Sequence, residues 1–481
     1  MGEHDEERAG RSWQPSRRSL LKAGLVAGAV AGTGSLGSAA AQARQIRGHG
    51  HFRQPDSLPF PRLPQGTDTI PQIEHIVVLM MENHSYDNYL GLLRRRDADG
   101  LRLGRDGTPL NVNPYADGSL QHSFHMPTTC QLPAHPAQDW QDSHLSLDGG
   151  RLDGFVESFS GPVSMGYWTG DDIPFYYSLA STFPLADRYF CSVLGQTFPN
   201  RRYLLAATSI GQVNDTTPAL TDYPPNGTLF DRLDANGISW KDYFTTLPSV
   251  ELFPPLFFKN QGTKVVPIGD FFTDAAAGTL PAYSLVEPDY GVQSEENPQN
   301  IVNGEQFSAN VISAVMSGPA WDKTLLIWTY DEHGGYYDHV RPPLAIPPDD
   351  IAPQVPEGES VFTGFGQYGF RVPTVIVSPW ARPRYVSHQV FDHGSICALV
   401  ERKWNLPAMT FRDANANDMT DMLELRRPAF LEPPRLAQPK LAVDPGALAC
   451  STSGPGTIPP PGSISPPPSH GHGKGKGKGH S

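Results

Sequence analysis

Two apolar runs that each end abruptly in acids constrain the fold more than anything else in this chain. Thr324–Tyr330 reads T-L-L-I-W-T-Y, a continuous apolar, β-prone run of the kind that forms a buried strand. It passes straight into Asp331-Glu332-His333-Gly334-Gly335. The run I-E-H-I-V-V-L-M-M from Ile73 behaves alike, ending in Glu82, Asn83, His84, Ser85, Tyr86 and Asp87. A third run, residues 372–378, stops at Pro379. In open α/β sheets, chemistry collects outside the carboxyl ends of the strands. Paired carboxylates and histidines there point to a metal or acid–base site, although a polar turn after a core strand would read the same way.

Helical patterns alternate with these strands. In 304–318, Phe307, Val311, Ile312, Val315 and Met316 recur at helical spacing and give one apolar face. Residues 395–404 read as a second helix, with Asp392 as N-cap and His393 in its first turn. The alternation implies an α/β sheet covered by helices on both faces. Residues 211–291 are rich in Pro, Gly and aromatics, with weak periodicity, and read as a less regular cap shaping a pocket. The catalytic body spans 71–448, preceded by a polar, Pro-rich lead-in at 44–70.

The chain termini carry separate signals. Ser16-Arg17-Arg18-Ser19-Leu20-Leu21-Lys22 precedes a mildly apolar, Gly/Ala-rich stretch and then Ala41-Gln42-Ala43. That stretch is too short to span a bilayer stably and resembles a twin-arginine export signal over 1–43. Such a chain meets the twin-arginine export machinery and ends up secreted, periplasmic or wall-associated. At the other end, 449–481 is rich in Pro, Gly, His and Lys and cannot bury a core. Its lysines could touch anionic surfaces, including a membrane surface, and its histidines could bind metal weakly; a solvated tail is the simpler expectation. The formal charge of -13 argues against a nucleic-acid-binding body. Four cysteines (130, 191, 397 and 450) allow one or two bridges but no disulfide framework, and none sits in a C-x-x-C zinc arrangement.

The third informative block is D-R-Y-F-C-S-V-L-G-Q-T-F-P-N-R-R-Y at 187–203. Pro199 suits the first turn of a helix. Thr197 would then lie beside free backbone N–H groups that bind phosphate, with a hydroxyl able to attack phosphorus once its pKa is lowered. Arg201 could neutralise a phosphate oxygen. Thr197 could equally serve only to cap the helix.

Three blocks together, E-N-H-S-Y-D-N-Y-L-G at 82–91, G-Q-T-F-P-N-R at 195–201 and T-Y-D-E-H-G-G-Y-Y-D-H-V at 329–340, resemble the bacterial phosphoesterase family of phospholipases C and acid phosphatases. The resemblance covers most of 73–425. It implies an alkaline-phosphatase-like α/β core and a phospho-threonine formed on Thr197. It places Glu82, Asn83, Asp331 and Glu332, completed by Thr197, at the family's metal positions. These are oxygen donors, so one divalent ion of Ca, Mg, Mn or Zn type is implied, the harder ions suiting best. His144 matches a pocket histidine that hydrogen-bonds phosphate or protonates the leaving alkoxide; His333, His339 and His393 fall in matching motifs as further catalytic candidates.

The spacing Thr197-x-Pro199-x-Arg201 also parallels sulfatases, but threonine cannot become formylglycine, so the implied ester is phosphate. Two positions depart from the family pattern. Gln138 stands where a histidine is usual, and Asn297, in Glu296-Asn297-Pro298, replaces the histidine of E-H-P; Asn297 can bind phosphate but cannot carry a proton. The implied substrate is a phospholipid or another phosphate ester. A phospholipase C, an acid phosphatase acting on phosphomonoesters and a binding protein that lost turnover all fit this reading, in that order.

Overall fold

The computed structural model describes residues 38–47, 52–131, 136–440, 450 and 459–467. Its strands are β1 (His75–Met81), β2 (Val112–Pro114), β3 (Leu120–His122), β4 (Phe124–His125), β5 (Gly166–Tyr167), β6 (Leu185–Ala186), β7 (Trp240–Phe244), β8 (Val265–Pro267), β9 (Tyr283–Val286), β10 (Thr324–Tyr330), β11 (Thr374–Val377), β12 (Val386–Ser387) and β13 (Ile464–Ser465). Eight of them form one sheet in the order β12-β6-β11-β10-β1-β9-β7-β8. Only β11 runs against the common direction within that sheet.

The central strands are apolar throughout because both of their faces are covered. Every residue of β10 is buried, and so is β1 beyond His75. Helices Pro174–Thr182, Ile268–Ala277 and Ile301–Ser317 pack together as one group, and Thr197–Ala206, Leu229–Ala235 and His393–Trp404 as another; the two groups flank the sheet. The helix expected at 395–404 starts two residues earlier, at His393, with Asp392 as its N-cap.

Because β1 and β10 are parallel, with Met81 opposite Tyr330, their next residues emerge side by side. Glu82 and Asp331 therefore leave the sheet at one level. Strand β9, on the other side of β1, releases Glu287 just below them, since Val286 pairs with Leu79. Parallel pairing thus gathers three carboxylates from segments far apart in sequence.

Two expectations need correction. Residues 211–291 do not form an irregular cap: they supply β7, β8 and β9 at one side of the main sheet, together with three helices. Nor is the segment from 449 wholly without structure. Cys450 is disulfide-bonded to Cys130, and β13 pairs antiparallel with β3. The lead-in lies on the body, with Asp56 N donating to Ala408 O at 2.8 Å and Thr69 N to Lys403 O at 2.7 Å. The export signal falls mostly outside the described residues; its last part belongs to the helix Ala39–Arg47, whose first N–H donates to Asp350 Oδ1 at 2.6 Å.

Candidate active site

The site begins where β1 and β10 end. Asp331 Oδ1 accepts from the backbone N–H of Glu332 at 2.7 Å and of Asn83 at 3.3 Å, which ties the two strand ends together. Asn83 has φ +68, a left-handed conformation that Asn tolerates better than most residues. The glycines after Glu332 are required by close approach. A Cβ on Gly334 would stand 1.9 Å from the Asn83 carbonyl oxygen, and one on Gly335 would stand 2.6 Å from the Pro136 side chain. The D-E-H-G-G turn is therefore wedged between Asn83 and the segment that leads into the helix Trp140–Leu147.

Thr197 opens the helix Thr197–Ala206, and Gln196 takes the N-cap position, so the hydroxyl is not spent on capping. Arg201 lies four residues on, on the same helix face as Thr197, about 5–6 Å away between Cβ atoms. Its Nε donates to Asp331 Oδ2 at 2.9 Å, its Nη1 to Glu287 Oε2 at 2.8 Å and to Ser249 Oγ at 3.1 Å, and its Nη2 to the Met81 carbonyl at 3.3 Å. Glu82 Oε1 is 3.9 Å from Nη2. The Tyr290 ring sits 5.1 Å from the guanidinium. Arg201 therefore draws the helix that carries Thr197 onto the acids. It is spent on these carboxylates and does not have the free fork expected for a phosphate oxygen; its place is that of a positioning residue.

Three buried oxygens in this group have no hydrogen-bond partner: Glu82 Oε2, Asn83 Oδ1 and Glu332 Oε1. Buried polar atoms are almost always satisfied, so these orphaned oxygens call for a partner, although Glu82, Asp331 and Glu332 do not bring one oxygen each within 4.8 Å of one another. The carboxyl groups agree. Burial pushes Glu82 and Glu332 well above the usual carboxylate range, helped by neighbouring acids, and raises Asp331 against the pull of Arg201. With one arginine among these acids, an oxygen-only set like this could hold a divalent cation.

A second acidic group resolves differently. Asp87, Asp338 and His339 bring ligand atoms within 4.8 Å of one another. Arg371 already fills that place, donating to Asp338 at 2.9 Å and to Asp87 at 3.0 Å. His339 Nδ1 contacts Asp87 at 2.6 Å and Nε2 contacts Asp99 at 3.2 Å. Burial lowers its basicity, but the charge of Asp87 and the hydrogen bonds with Asp87 and Asp99 overcome this and raise it to about 10. With His339 and Arg371 cationic, the two buried acids are neutralised without a metal. His339, expected from its motif to be catalytic, is held between Asp87 and Asp99.

The remaining histidines divide. His393 is buried, with Nε2 at 2.7 Å from the Asp331 carbonyl and Nδ1 at 3.1 Å from the Tyr189 hydroxyl. Both nitrogens are used, so it props the Asp331 backbone and has none left for substrate. His333 is buried against Phe370, and burial lowers it to about 3. Its Nδ1 lies 3.1 Å from Glu332 Oε2, but without hydrogen-bond alignment, and neither nitrogen has a partner. His144 places Nδ1 at 2.7 Å from the Trp140 carbonyl and leaves Nε2 buried and unpartnered. A Cβ on Gly195 would be 3.8 Å from the Trp140 ring, so the His144 helix packs against the loop that leads to Thr197. Asn297 Oδ1 accepts from the Tyr336 hydroxyl at 3.0 Å, and that hydroxyl also lies 2.8 Å from Gln131 Oε1.

Sequence reasoning missed three acids. Glu287 follows a strand just as Glu82 and Asp331 do, but that strand has only four residues and gives little pattern to read. Asp215, in an irregular loop, carries no such signal; its Oδ1 accepts from the Phe198 N–H at 2.7 Å. That N–H, expected to be free for phosphate, is taken. Burial raises Asp215 to about 7, with Asp331 adding to it, and raises Glu296 to about 7, with Asp215 and Asp331 adding.

A profile of the phosphoesterase family matches residues 73–407. Non-specific phospholipase C1 of Arabidopsis thaliana is 32% identical over 408 residues, 78% of this chain and 75% of that protein. Phospholipase C A of Mycobacterium tuberculosis is 31% identical over 434 residues, 79% of this chain and 83% of that protein. Among solved structures, a protein of the alkaline phosphatase superfamily from Vibrio parahaemolyticus aligns with a TM-score of 0.41 at 11% identity, covering 81% of this chain and 79% of the other.

Proposed function

This chain belongs to the phosphoesterase family and is a phosphoric ester hydrolase; from that premise we propose that it is an exported phospholipase C. It cleaves the glycerol-side P–O bond of a phospholipid and yields diacylglycerol and a phosphorylated headgroup. The observation that carries the reading is the convergence of strand-end acids with the Thr197 helix, fixed by the bonds of Arg201 to Asp331 and Glu287. The relatives named phospholipase C support the substrate class. The Arg17-Arg18 signal supports export, and the Cys130–Cys450 bridge is in keeping with an oxidising compartment.

In this reading Glu82, Asn83, Asp331 and Glu332, with the Thr197 hydroxyl, would hold one divalent cation. That ion would lower the pKa of the hydroxyl and withdraw charge from the phosphoryl oxygens. Thr197 Oγ attacks phosphorus, the Oγ–P bond forms, and the bond from phosphorus to the glycerol oxygen breaks. Burial lowers His144 to about 4, so its Nε2 is unprotonated at neutral pH. It takes the Thr197 proton and delivers it to the departing alkoxide; general acid–base help of this kind contributes roughly 10²–10⁴-fold. Water then attacks phosphorus, His144 accepts its proton and returns it to Thr197, and the Oγ–P bond breaks. Asn297 contributes an amide to phosphate recognition, and the proton work that a histidine at its position would do falls to His144.

The test is hydrolysis of phosphatidylcholine, phosphatidylethanolamine and an aryl phosphate, with and without chelator, followed by add-back of single divalent ions. Chelator-sensitive release of diacylglycerol is expected. Preference for the phosphomonoester would assign an acid phosphatase instead, and inertness toward all three would overturn the reading.

A further inference from the structure

The environment of His144 is built by a loop that none of the matched motifs includes. Phe362 lays its ring parallel on the imidazole, with centroids 4.1 Å apart and planes 5° from parallel. Trp140 closes another side at 4.4 Å. The loop is pinned where it meets this stack: Trp140 Nε1 donates to the Ser360 carbonyl at 2.9 Å, and the Phe362 N–H donates to Ser360 Oγ at 3.1 Å. Phe362 also has φ +44. A left-handed backbone is costly for a bulky aromatic residue and persists only where its surroundings over-determine it. Its neighbour Val361 is exposed, while Phe362 packs against the buried cluster that includes Trp140 and Phe365.

We propose that Phe362 is a positioning residue that clamps His144 against Trp140, fixing the imidazole with Nδ1 on its own helix and Nε2 left for substrate. The proposal rests on the reading that His144 works on the substrate. Its physical content is twofold. The stacked ring blocks rotation of the imidazole, and it keeps water from the face it covers.

Burial is the largest influence on His144 and lowers it, with the Trp140 carbonyl opposing. The acids on the elements packed here are Asp139 and Asp142 on the histidine's own helix and Glu357 and Glu359 on the loop. Asp139 caps that helix, Asp142 accepts from the Phe159 N–H, and Glu359 is raised by burial and then by Asp139. Removing the ring admits water to the imidazole and moves its titration toward the unperturbed value of ~6.5.

The experiment is a titration of histidine side chains by NMR on the full, cation-loaded chain, with the His144 signal assigned by its loss in His144→Asn. Wild type, Phe362→Leu and Phe362→Tyr are compared. In Phe362→Leu the His144 titration should rise by at least one pH unit. The acidic limb of kcat/KM should move the same way, with kcat falling about tenfold and KM changing little. Phe362→Tyr keeps the stack and should retain wild-type behaviour. An unchanged His144 titration in Phe362→Leu overturns the clamp, and so does a Phe362→Tyr variant as impaired as Phe362→Leu. The catalytic reading fails separately: full turnover by His144→Asn removes His144 from the chemistry, whatever Phe362 does to its titration.

Discussion

Replacing Arg201 by methionine probes the assembly of the site directly. The arginine side chain is 3% exposed, and those of Asp331 and Glu287 are fully buried. Methionine keeps most of the volume but leaves two carboxylates without their cation. Removing one partner of a buried pair costs about 3–5 kcal/mol. The two pairs share one guanidinium, so their losses overlap, and a total of about 3–5 kcal/mol is expected for chelator-treated protein near pH 7.5. That is a large share of the ~5–15 kcal/mol that holds a typical domain. The loss should shrink as pH falls, because Asp331, already raised by burial against the pull of Arg201, protonates more readily and then no longer needs a cation. Arg201→Lys should fall between, since one ammonium cannot span the two carboxylates as the planar fork does. The assay is urea unfolding followed by tryptophan fluorescence, with Arg188→Met, at a part-exposed pair with Asp99, as the surface control. A loss below about 1 kcal/mol for Arg201→Met at pH 7.5 would refute the argument, because it would mean the carboxylates do not depend on Arg201.

Two further outcomes follow from the same charges. Glu82 and Glu332 have folded pKa values raised above their unfolded ones, so their protonated forms favour the fold, and that stability is lost as pH rises through the raised values. Chelated protein should therefore melt at lower temperature as pH increases, while a divalent cation at 100 times its Kd restores about 2.7 kcal/mol; thermal melts at several pH values with and without cation check this, and a cation effect confined to acid pH would contradict it. His339 is raised to about 10, so its stabilising contribution is complete below the unfolded value of ~6.5 and disappears as pH climbs through 10. His339→Gln should cost about 3 kcal/mol at pH 7 and flatten the alkaline decline in urea-unfolding free energy, whereas unchanged stability with abolished turnover would return His339 to the chemistry.

The sequence was most legible where burial on both faces leaves no alternative. Strand β10 occupies the expected residues, and β1 and β11 begin two residues inside the expected runs. Their acids could be named because a parallel sheet turns strand ends into neighbours. Strands β7 and β9 escaped notice for physical reasons. Trp240–Phe244 carries Lys241 and Asp242 within it, and Tyr283–Val286 has only four residues. Short strands of mixed polarity leave little periodicity to read, and with them went Glu287. The fate of Arg201 could not be read either. Its place in the motif suggested phosphate, but only the packing of its helix over the strand ends shows the guanidinium already committed. Phe362 and Asp215 act from loops, where contact depends on how distant elements dock and leaves no local pattern.

The central claim is that Thr197 carries phosphorus during turnover. Cation-loaded enzyme should be mixed with a slowly turned-over phosphodiester, quenched in acid during the steady state, digested and analysed by mass spectrometry. The account predicts an adduct on Thr197 of phosphorus still esterified to the alcohol not yet released, formed within the first turnover and absent from Thr197→Ala, which should fold but not turn over. An unmodified Thr197 peptide during active turnover, with phosphate on another side chain or near-wild-type activity in Thr197→Ala, would contradict it.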